Sequence, residues 1–136
     1  MGYNVYIGQC VLEESPEGWW LSVEGHSEKN APKGSSCVVG CPRNCISPSY
    51  TSWGKFAREV DLHDELGSQA GSDPRRLTEE DHASFVAARL FYDKMTTKSG
   101  YDAETGVDWN NRRLDWLIWW ARWTLDNCTR PAIQIT

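Results

Sequence analysis

The sequence predicts an α+β fold: an N-terminal β-hairpin, a long loop, three helices with a Trp-rich central C-terminal helix, and a short C-terminal strand. Three observations carry that expectation. Apolar residues alternate on both sides of the turn sequence EESPEG at 13–18. Apolar residues return with helical spacing in three later stretches, and Gly- and Pro-rich segments separate those stretches. At 136 residues the chain is expected to form a single domain, 1–136, large enough to bury a core.

Tyr3 to Leu12 places Val5, Ile7 and Val11 on one parity and Tyr6, Cys10 and Leu12 on the other, which predicts a strand covered on both faces. Trp19 to Gly25 alternates Trp19, Leu21 and Val23 against Trp20, Ser22 and Glu24, completing a hairpin whose two indoles are expected to pack on the sheet. Ser27 to Ser49 is rich in Gly, Ser, Pro, Asn and Cys and reads as a loop. Ser49 is placed to cap a helix over about Tyr50 to His63, with Tyr50, Trp53, Ala57 and Val60 inward and Lys55, Arg58 and Glu59 wet. Leu66 to Arg76 is a polar loop. Thr78, with Asp81 three residues on, opens a second helix whose inward stripe is Phe85, Ala88, Tyr92 and Met95. Gly100 to Asp108 is a turn that ends in an N-cap at Asp108.

The third helix, Asn110 to Cys128, holds four of the eight tryptophans. On a helical projection Leu114, Leu117, Ile118, Ala121, Leu125 and Cys128 share one face. Trp116, Trp120, Trp123 and Asn127 fall nearly opposite, and Arg122 is spaced to pair with Asp126. A helix apolar on both sides is either sandwiched in its own domain or uses its second face for a partner or ligand. Both readings of the tryptophan row stay open at this point: core, or the wall of a pocket or oligomer interface. Pro131 ends the helix, and Ala132 to Ile135 is expected to add a strand to the hairpin.

A formal net charge of −5 argues against binding duplex nucleic acid, because the phosphate field repels an acidic chain. No stretch is long and apolar enough to span a bilayer, and the first residues lack a signal-peptide or myristoylation pattern, so a cytoplasmic protein is expected. Cys37, Cys41 and Cys45 stand at C-x3-C-x3-C spacing. They could be free thiols, disulfide-bonded, or zinc ligands completed by His26 or Cys10; free thiols are favoured, and no metal or other cofactor is expected. Asp102, Glu104 and Asp108 resemble a calcium loop only in part, because the bidentate Glu at the twelfth position is missing. No Gly-rich phosphate loop, nucleophile elbow or paired metal-binding histidines are present, so the chain is not expected to be an enzyme.

Three groups of residues carry a resemblance. They are the opening Tyr3-Asn4-Val5-Tyr6-Ile7-Gly8, the middle Ser47-Pro48-Ser49-Tyr50 with Trp53, and the ending from Arg113-Leu114-Asp115-Trp116 through Trp123 to Asn127-Cys128-Thr129-Arg130-Pro131-Ala132-Ile133. Together they resemble a family of small, uncharacterised proteins of tailed bacteriophages and prophages. The 37/41/45 cysteines depart from that family's pattern. The resemblance implies a phage context, in the cytoplasm of an infected bacterial host, and no particular activity. By analogy with small phage proteins that neutralise host components, the expected function is immune evasion: binding and sequestering a small nucleotide-derived defence signal without catalysis, as a homo-oligomer. Trp116, Trp120 and Trp123 would wall the pocket, Arg113 and Arg130 would hold negative charge, Tyr50 and Trp53 would close it, and Asn127 would bond a polar edge. The alternative is an inhibitor that caps a host enzyme or defence effector through the same aromatic face.

Overall fold

A computed structural model describes residues 5–32, 53–66 and 73–135. The fold is α+β. Strands β1 (Val5–Ser15) and β2 (Gly18–Glu24) form the hairpin. Helix α1 (Trp53–Glu59), strand β3 (Arg75–Arg76) and helix α2 (Glu79–Asp93) follow. A small pair, β4 (Tyr101–Asp102) and β5 (Val107–Asp108), precedes helix α3 (Trp109–Asn127) and strand β6 (Pro131–Ile135). The main sheet has the order β2-β1-β6-β3. Strand β6 joins the hairpin antiparallel to β1, with Val5 opposite Ile135 and Ile7 opposite Ile133. The expected C-terminal strand therefore sits in the middle of the sheet.

The local chemistry explains most boundaries. Thr78 caps α2 through its hydroxyl, which accepts from the Asp81 N–H, while the Asp81 carboxylate accepts from the Thr78 N–H, a reciprocal capping box. Asp108 caps α3 by accepting from the Asn110 and Asn111 amides. The hairpin turn is tighter than expected. Only Pro16 and Glu17 separate the strands, because Gly18 takes a φ of 129°, a conformation costly for a residue with a side chain. Helix α1 ends at Glu59, short of His63, and the backbone turns through Asp61 at a φ of 62°. The 66–76 segment, expected as a polar loop, buries Leu66 and ends in strand β3.

Helix α3 is sandwiched. Leu114, Leu117 and Ala121 are buried on one side, and Trp116 and Trp120 are buried on the other. The core gathers these with Val5, Ile7, Phe56, Phe85, Tyr92, Ile133 and Ile135. Each such side chain contributes about 1.5–3 kcal/mol by leaving water. The far half of the hairpin does not share that cover. Leu12 is 58% exposed, Trp19 62% and Trp20 43%. Strand β1 is thus covered on both faces only over its first residues, and the two hairpin indoles do not pack on the sheet as the alternation suggests. Alternation gives the strand's period; it does not give the length over which helices cover it.

Candidate functional site

Two clefts involve residues that the sequence marks as binding candidates. The first lies where α1, the 99–104 turn and the start of α3 meet, encloses about 470 Å³, and has Arg113 in its wall. Arg113 is only 4% exposed, and its Nη1 donates to Asn110 Oδ1 at 3.1 Å. Its guanidinium stands 5.8 Å over the Phe56 ring. Burial lowers its pKa, and the charges of Glu59 and Asp108 oppose that shift. Asn110, itself buried, donates through Nδ2 to Ser99 Oγ at 3.1 Å and Glu59 Oε2 at 3.3 Å. Glu59 is therefore a partner of this network rather than a wet residue. Glu59, Asp102 and Glu104 all line the cleft, and the one lysine among its described residues, Lys55, faces Glu59 at 3.7 Å. Arg113 holds this polar cluster together in a setting that disfavours an anion.

The second cleft has the opposite character. It encloses about 460 Å³ at the junction of β3 with the α3–β6 turn. Arg75, Arg76, Thr129 and Arg130 supply its polar wall, and Leu21, Pro74, Pro131 and Ala132 its apolar one. The sheet register brings the arginines together, since Arg76 stands opposite Ala132, two residues beyond Arg130. The turn is strapped by Gln9. Its Nε2 donates to Thr129 Oγ1 at 3.0 Å, and its Oε1 accepts from the Arg130 N–H at 2.9 Å. The Cys10 N–H donates to the Arg130 carbonyl at 2.8 Å, fixing the same segment to β1.

Arg75 is committed to the fold. Its two Nη atoms donate to the Asp81 carboxylate at 2.9 and 3.0 Å, and Nη2 also donates to the Glu65 carbonyl at 3.1 Å. Burial would raise the Asp81 pKa, but the bonds from Arg75 and Thr78 hold it below the ordinary carboxylate value. Arg76 and Arg130 are exposed, and neither guanidinium pairs with a carboxylate of the described residues. No carboxylate or histidine is among the described residues that line this cleft. It offers fork-shaped cationic donors beside apolar side chains.

No family model, curated protein or solved structure matches the chain.

The residues singled out in the sequence are not brought together. Trp116 is 0% exposed and Trp120 3%, so the expectation that they wall a ligand pocket gives way to core packing. Trp123 is half-buried, and its ring meets Trp120 at 5.4 Å and His26 at 4.7 Å. Asn127 is exposed and donates through Nδ2 to the Trp123 carbonyl at 2.8 Å, completing the helix end. Arg113 and Arg130 line different clefts. Tyr50 and the Trp53 side chain lie outside the described residues, as do Cys37, Cys41 and Cys45. Of the residues offered as a fourth zinc ligand, His26 instead approaches Cys128, with Nε2 at 3.8 Å from Sγ. Burial and then Glu24 push the Cys128 thiol pKa up, which disfavours its thiolate form. Asp108 and Asp102, parts of the incomplete calcium pattern, serve as the α3 cap and as an acceptor for the Glu104 amide.

Sequence reading missed Arg75, Arg76, Thr129 and Gln9. The adjacent pair Arg75-Arg76 after Pro74 was the available signal, but only the β3–β6 register places it beside Arg130.

Proposed function

We propose that this is a binding protein that holds a small phosphorylated ligand in the arginine cleft, without chemistry. The observation that carries the reading is the pair Arg76 and Arg130. Two guanidiniums without carboxylate partners among the described residues face one apolar-floored cleft. Guanidinium groups meet phosphate oxygens in a two-pronged geometry, and Thr129 can donate its hydroxyl proton because Gln9 occupies that oxygen as an acceptor. The cleft volume, about 460 Å³, lies in the range of small-ligand sites. Leu21, Pro74 and Pro131 would take the flat face of a base or sugar.

A nucleotide-derived molecule is the ligand class with both features. In the phage context that the sequence resembles, sequestering such a molecule would blunt a host defence signal. The site moves from the α3 tryptophan row to the arginine cleft, and the rival reading of a host-protein inhibitor loses that row as its docking face. The test is calorimetric titration with ADP, pyrophosphate and adenosine, followed by release of the bound molecule on denaturation. ADP should bind, adenosine should not, and the released ADP should be intact. A converted product would make the protein an enzyme, and adenosine binding as tightly as ADP would remove the arginines from the account.

A further inference from the structure

We propose that two copies of this chain join edge to edge through strand β2, and that each copy places its Trp19 at the rim of the other's arginine cleft. The second half of this statement rests on the ligand-binding reading; the first half does not.

Among the described residues strand β2 ends the sheet order, so no neighbouring strand there covers the outer side of its Trp19-Trp20-Leu21 run. Protected edges carry lysine, proline or a bulge, whereas this one carries Trp19-Trp20-Leu21 in an unbroken ladder with β1. All three are exposed, at 62%, 43% and 40%. Leu12, directly opposite Leu21, is 58% exposed as well. Taking an aromatic side chain as ~150–250 Å², the two indoles alone leave on the order of 200 Å² in water per copy. Leu12 and Leu21 bring the patch towards the ~450 Å² of apolar surface that a standard interface takes from each partner.

A twofold pairing centred on the exposed run fixes the rest. With the axis at Trp20, the two Trp20 residues face each other, and Leu21 faces the partner's Trp19. Directly opposed residues in an antiparallel pair share a face. Leu21 lines the arginine cleft, and Cys10 and Leu12 share its face by the hairpin register. The partner's Trp19 therefore stands beside Leu21 at the cleft mouth, where it adds an aromatic surface to the aliphatic wall that Leu21, Pro74 and Pro131 form. Glu17 and Glu24 bracket the run and confine the pairing to its apolar centre.

The test is covalent capture with Trp20→Cys. Opposed Cα atoms in an antiparallel pair stand about 4.5–5.5 Å apart, within disulfide reach. Mild oxidation of the full chain should give a species of twice 15.5 kDa, absent from the wild type treated alike. Sedimentation of the wild type at tens of micromolar should show the dimer without ligand, and Trp20→Lys should weaken it at least tenfold with its circular dichroism unchanged. A wild type that stays monomeric, or a dimer that Trp20→Cys does not trap, overturns the inference. A monomer whose hairpin instead takes up a host peptide overturns it too. A trapped dimer that ignores ADP leaves the pairing intact and removes the cleft reading alone.

Discussion

Helix α3 and strand β2 each carry tryptophans in a regular pattern, and the fold treats them oppositely. Trp116 and Trp120 on α3 are 0% and 3% exposed, while Trp19 and Trp20 on β2 are 62% and 43% exposed. The α3 row lies against a core that α1, α2 and the first half of the sheet complete. The hairpin reaches past that core, so its indoles are only partly covered. Aromatic clustering therefore marks burial in one place and exposure in the other. What separates them is the position of the element within the fold.

Substitutions sharpen that contrast, and the largest effect belongs to α3. Trp116→Ala should cost about 3–5 kcal/mol in denaturant unfolding, since it empties a closed site. Trp120→Ala should behave alike. Retention of full stability by either would return the row to the surface. Next comes the polar joint beneath α3. At Gly100 an added Cβ would lie 2.6 Å from Asn110 Cγ and 2.7 Å from its backbone nitrogen. Gly100→Ala should therefore cost about 1–3 kcal/mol, read as a lowered melting temperature, because backbone cannot give way.

Asp81 comes third. Its folded pKa lies below the ordinary 3.8, so it stabilises the fold above that value and ceases to do so as pH falls through the folded pKa. Asp81→Asn should cost about 1–2 kcal/mol near neutral pH by weakening the cap and the Arg75 bonds. The gap from wild type should narrow in acid, and unfolding curves at several pH values would show a constant gap if Arg75 were not the partner. The smallest effect is that of Trp19→Ala, which should change stability by no more than about 0.5 kcal/mol in denaturant unfolding at concentrations low enough to keep the protein monomeric.

How much of this was legible in the sequence depends on the range of the interaction. Thr78 with Asp81, Asp108 as a cap, and the Arg122–Asp126 pair at 2.8 Å are contacts within one turn, and residue spacing alone predicts them. The C-terminal strand was legible because Pro131 breaks the helix ahead of an apolar run. The tryptophan row was half legible. A helical projection gives the angle of Trp120, but whether its side is covered depends on elements far away in sequence. The arginine cleft was hidden for the same reason. Arg76 and Arg130 meet only through the pairing of β3 with β6, and the unexpected strand β3 is just two residues long. Arg113 misled because a charged residue among aromatics suggests a ligand, whereas here it bonds Asn110 and sits over Phe56.

The measurement that bears most directly on the central claim is calorimetric titration of ADP into the wild type, Arg76→Ala, Arg130→Ala and Arg112→Ala. Arg112 is the control, since it is exposed over Trp109 and away from the cleft. Each cleft variant should lose about tenfold in affinity, the worth of one charge-assisted contact, while Arg112→Ala binds as the wild type does. Equal affinities in all four proteins, or no binding by the wild type, would contradict the assignment of the cleft.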